Sequence, residues 1–181
     1  MRIKTKWHKT DEPKSPEDIA SALAYIGWRI AMNRLEHLES EGFPIRDNRQ
    51  RFAIMDEFLA FQLQAADRSA YRVMGEEERR RLVTALAHRF ADILEENLVD
   101  LQGPGDYRGP FIALLNQRSA DYGELTYTEN GPGYSYLRYF GERVSSAVGQ
   151  GDNRWVMEQV MEIEAPEAVE LMNKAFTDLL R

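Results

Sequence analysis

The chain has 181 residues, 43% hydrophobic and 10% aromatic, with 23 Lys and Arg against 30 Asp and Glu, a net charge of −7, and no Cys. That length and composition suit one folded domain and exclude a disordered chain, while the absence of Cys excludes disulfides and thiolate zinc sites. No apolar run is long enough to predict a transmembrane helix, and the opening MRIKTKWHK leads into DEPKSPED rather than an apolar segment, so the expected setting is cytoplasmic and away from membranes.

Residues 1–14 carry Arg2, Lys4, Lys6, Lys9 and Lys14 against Asp11 and Glu12, a tail of +3 that leaves −10 on residues 15–181. The tail reads as a solvated basic extension and the remainder as a single helical domain. A body of that sign repels phosphate, which disfavours nucleic acid as a partner. Ser15, Pro16, Glu17 and Asp18 predict a helix start, since they supply a capping oxygen, a proline at the first position and acids in the first turn. This helix should end at about Ser40, before Gly42 and Pro44. A second is expected from Asp47 to Met74, a third from Glu76 to about Leu101, and shorter ones over Pro110 to Tyr122 and Tyr136 to Val148. A final pair is expected at Asn153 to Ile163 and Pro166 to Leu180.

The predicted fold is therefore an all-α, single-domain bundle of six or seven helices. In the second helix, Phe52, Met55, Leu59 and Leu63 lie on one side while Ile54, Phe58, Phe61 and Ala65 lie on the other. The first helix is likewise apolar on two sides, which predicts either a central place in the bundle or one core face and one homodimer face. The third helix is one-sided and should be peripheral. Residues 103–141 hold seven of the 12 Gly and six of the eight Tyr. Over 103–135 an irregular segment is expected, with a short hairpin around Asn130 to Gly133 as the alternative to continued helical spacing.

Enzyme motifs are missing. None of the three His has a Glu three residues before it, which removes the di-iron pattern of carboxylate bundles. There is no Gly-x-Ser-x-Gly and no phosphate-binding glycine loop. Glu36 with Glu39, and Asp92 with Glu95, are acid pairs spaced three apart. In this they resemble Mg²⁺-dependent helical nucleotide pyrophosphohydrolases, which implies Mg²⁺ as cofactor and hydrolysis of a nucleotide-like substrate as the alternative function. His88 shares a helix face with Asp92 and Glu95, and His37 extends an apolar stripe, where a hydrogen-bonded, half-buried ring is expected.

Two features suggest recognition. Arg46, Arg49 and Arg51 crowd the start of the second helix, a secondary anion-binding candidate unless internal acids neutralise them. Tyr122, Tyr134, Tyr136 and Tyr139 accompany Arg118, Arg138 and Arg143, which together would form a recognition surface: phenol rings to pack on a ligand body and guanidinium forks for its acidic group. The function expected from sequence is thus a non-enzymatic binding or protein-interaction domain, taking a small molecule or peptide with an acidic group, needing no cofactor and pairing as a homodimer through an apolar helix face.

Overall fold

A computed structural model describes residues 13–149 and 153–181; apart from Pro13 and Lys14, the basic tail lies outside the described residues. The chain is an all-α bundle: α1 Pro16–Ser40, α2 Asn48–Tyr71, α3 Glu76–Gln102, α4 Arg108–Gly123, α5 Tyr134–Val148, α6 Asn153–Gln159 and α7 Ala165–Leu179. Between α4 and α5, β1 (Tyr127–Thr128) pairs antiparallel with β2 (Gly131–Pro132), placing Tyr127 opposite Pro132 and Thr128 opposite Gly131. The short hairpin is thus present. Among the described residues no helix is long and apolar enough to cross a membrane.

Local chemistry explains most boundaries. Ser15 accepts from the Asp18 amide while Asp18 accepts from the Ser15 amide, a complete capping box, with Pro16 where its missing N–H is harmless. Asp47 caps α2 by accepting from the Gln50 amide at 2.8 Å. Gly42 and Gly103 stop the neighbouring helices with φ of 85° and 84°, values that favour glycine. The final pair of predicted helices is instead one continuous rod. A π-helical turn, Val160–Glu164, joins α6 to α7, and the Ala165 amide reaches back five residues to the Val160 carbonyl. Pro166, read from sequence as the start of a separate last helix, sits in the first turn after that shift in register, where its lack of a donor is absorbed.

The first and third helices run side by side in the same direction. Arg81 pairs with Glu17 near their starts, Gly27 faces the Phe90 ring midway, and Glu36 and Asp100 share a cleft near their ends. A Cβ on Gly27 would lie 2.8 Å from Phe90 Cζ, so glycine sets this close approach. The second helix occupies the middle: Phe52 tilts against Trp28 of α1 on one side, while Phe61 stacks at 4.1 Å on Phe140 of α5 on the other. Both of its apolar faces, and both of those on α1, are covered within the chain. The two-sided pattern that suggested a homodimer is therefore accounted for without a second copy.

Such a central helix carries its polar residues under constraint. Asp56 of α2 is half-buried, its Oδ1 is wholly shielded, and that atom has no hydrogen-bond partner among the described residues. Burial, with the Glu57 charge as the lesser cause, pushes its carboxyl up to about 7 from an ordinary 3.8. The folded state thus binds this proton more tightly than the unfolded chain, so the contribution is complete below about pH 3.8 and is lost as pH rises through about 7. At about 1.4 kcal/mol per pH unit, Asp56→Asn should be roughly 2–4 kcal/mol more stable than the parent at pH 8 and nearly equal to it at pH 4, as measured by urea unfolding.

Candidate functional site

The tyrosine segment is largely interior. Tyr122 at the end of α4 and Tyr136 at the start of α5 are fully buried, stacked on each other at 4.4 Å, and Phe61 of α2 packs against both. Burial drives both phenols well above their ordinary pKa. Arg118 is also buried, and its Nε and Nη2 donate to Glu57 Oε2 and Oε1 at 2.8 and 2.6 Å. The expectation that these three residues face a ligand is corrected, and the reason is physical. Glu57 lies inside the bundle, where an unpaired carboxylate is costly, and Arg118 is its partner; the two rings fill the space between α2, α4 and α5.

The other four members of the set differ. Tyr139 is half-buried, edge-on to Tyr122 at 5.0 Å, and its hydroxyl donates to Asp121. Burial and that hydrogen bond push it up to about 12. The Arg143 guanidinium lies 5.3 Å over the Tyr139 ring. Arg138 is exposed and donates to Glu142 at 3.0 Å, and Tyr134 is exposed. What remains open is a narrow strip rather than a continuous aromatic platform.

The remaining sequence candidates separate as well. Arg51 donates to Glu39, the internal neutralisation considered as the alternative to an anion ligand. Arg46 and Arg49 are exposed, and the Gln50 amide at the start of α2 is served by the Asp47 cap. Asp92 is held by Arg108 and lies 3.7 Å from Arg89, and the His88 ring also meets Arg108. Glu95 is half-buried beside them on α3. The four acids Glu36, Glu39, Asp92 and Glu95 are not gathered, and no group of three or more His, Asp or Glu among the described residues is placed to hold a metal. The Mg²⁺ alternative lacks the cluster it requires.

What the structure does gather is a cleft of about 420 Å³ between the end of α1, the start of α2 and the end of α3. Its apolar lining is Met32, Leu35, Phe52, Met55 and Leu101, and its polar lining is Glu36, Glu39, Asp100, Asn48, Asn97 and Arg51. Three carboxylates thus meet one guanidinium, already paired with Glu39. Asn97 is buried and its amide nitrogen donates to the Ile93 carbonyl at 2.8 Å, which fixes the side chain in place. Leu101 is 52% exposed at the edge. Sequence reading named Glu36, Glu39 and Arg51 for other chemistry and missed Asn97, Asp100 and Leu101. A signal was present in the last turn of α3, where Asp100 opposes the helix dipole and Val99 and Leu101 flank it as apolar residues left in water.

The volume lies in the range of ligand-binding pockets, and an apolar lining with a few polar groups is their usual composition. Three of the polar groups are carboxylates, and only one of them is paired with the single guanidinium of the lining, a balance suited to holding a cation. Compared with protein-family models, curated proteins and solved structures, the chain matches none.

The Glu57–Arg118 pair yields a test of the interior assignment. Arg118→Leu should destabilise by roughly 3–5 kcal/mol, because it strands a buried carboxylate, and adding Glu57→Leu should restore most of that loss. Urea unfolding of the two single variants and the double variant measures the coupling.

Proposed function

We propose that this chain is a binding domain that receives a basic, amphipathic segment of a partner protein in the cleft between α1, α2 and α3. The observation that carries this reading is the meeting of an apolar floor with three carboxylates and a single, already paired Arg51 in one cleft. The apolar lining supplies affinity, since burying one leucine-sized side chain contributes roughly 1.5–3 kcal/mol. The exposed acids contribute little each, but they reject acidic segments and favour encounter with basic ones. The −10 carried by residues 15–181 acts in the same direction at longer range.

This reading keeps the non-enzymatic, interaction-domain character expected from the sequence. It reverses the sign of the partner, from acidic to basic, and moves the recognition surface from the tyrosine segment to the end of α1. The move follows from where Tyr122, Tyr136 and Arg118 lie.

A fluorescently labelled amphipathic peptide of alternating Lys and Leu blocks should bind saturably, while its Glu-for-Lys counterpart should not. Leu101→Asp and Asp100→Lys change exposed residues and should each weaken binding about tenfold, which is about 1.4 kcal/mol. Equal binding of the acidic peptide, or unchanged affinity in both variants, overturns the reading.

A further inference from the structure

A second cleft, of about 590 Å³, opens just beyond α1, where the α1–α2 connection meets α6 and the π-helical turn. Phe43, Pro44, Trp155 and Ile163 supply its apolar walls, and Trp155 is 63% exposed there. Glu41, Glu158 and Glu162 are its charged lining residues, with no Lys or Arg among the described residues that line it.

The edge of this cleft is organised from beneath by Glu164, whose side chain is wholly buried at the end of the π-helical turn. Gln159 Nε2 donates to Glu164 Oε1 at 3.0 Å, His37 Nδ1 lies 2.6 Å from the same oxygen, and Arg34 Nη1 lies 3.4 Å from Oε2. A buried carboxylate of this kind requires donors, which places a proton on His37 Nδ1 and orients the ring. Its other nitrogen, Nε2, then stands 3.7 Å from Glu41 Oε1, beyond hydrogen-bond distance. A positively charged group bearing several N–H donors suits the carboxylates that line this cleft, whereas an anion does not.

We propose that this cleft binds a primary alkylammonium group, with its methylene stem against Trp155 and Phe43 and its charged head between Glu41 and Glu162. An aromatic face next to carboxylates favours this combination of cation and stem. The source is either a free amine or a lysine side chain, which share this chemistry. The site has no residue in common with the α1–α2–α3 cleft and does not depend on the function proposed for it.

Trp155 is the natural reporter. In the full chain carrying Trp7→Phe, Trp28 is buried and Trp155 remains exposed. Titration with butylammonium should change Trp155 emission saturably, while butyrate and butanol at matched ionic strength should not. Glu41→Gln with Glu162→Gln should weaken the response about tenfold, and Leu101→Asp, in the other cleft, should leave it intact. Tighter binding of a blocked lysine amide than of butylammonium would identify a peptide side chain as the source, and the reverse order a free amine; either order supports the site. No saturable response, an equal response to butanol, or a response untouched by the double Gln variant overturns it.

Discussion

The burial of α2 on nearly every side is the constraint from which the rest follows. Glu57 points from this helix into the interior, and only a paired carboxylate can stay there. Arg118 supplies the pair through two parallel hydrogen bonds, which require α4 to lie across α2 in one orientation. Tyr122 follows four residues later on the same face of α4 and is carried inward, where it stacks on Tyr136 of α5. Such a pair contributes less to net stability than to orientation, since apolar residues of similar volume often serve stability as well. The same packing removes the Tyr- and Arg-rich segment from service as a broad recognition surface.

Much of the fold was legible because periodicity and capping agree along α1, α2 and α3. Ser15 with Asp18, Asp47, and the acids at the start of α3 mark helix starts that the structure places within a residue or so. The C-terminal rod was less legible. Pro166 is an ordinary breaker in sequence, and nothing local announces a π-helical turn that shifts the register just before it. The interior tyrosines were missed for a different reason. Their composition suits surface and core equally, since a phenol has a large apolar ring and one polar atom. The deciding signal was spacing: Phe111, Leu115, Arg118 and Tyr122 form one stripe on α4, as do Tyr136, Phe140, Val144 and Val148 on α5. Arg118 on such a stripe, with Glu57 amid the apolar run of α2, spells a buried ion pair.

The candidate site was partly legible at best. Glu36, Glu39 and Arg51 were visible as charged residues, but their meeting with Asn97, Asp100 and Leu101 depends on α1 and α3 running in the same direction, and that follows from long-range packing around Gly27 and Phe90. Acid spacing alone pointed instead to a pairing of Glu36 and Glu39 with Asp92 and Glu95. In the bundle, Asp92 is turned to Arg108, and its place near Glu36 is taken by Asp100, two helical turns further along α3. The first of the two clefts borders the C-terminal part of α1 and the second the connection after it, and both are acidic with apolar walls. In the proposed account, recognition by charge and greasy contact is concentrated at that pole.

The most direct test of this account is to map backbone amide shifts by heteronuclear NMR while adding the basic amphipathic peptide to the full chain. The account predicts that the largest shifts cluster at Met32 to Glu39 and Asn97 to Leu101, with the interior residues around Tyr122 and Tyr136 quiet. Shifts centred on Tyr134 to Arg143, with the α1–α2–α3 cleft unaffected, would contradict it.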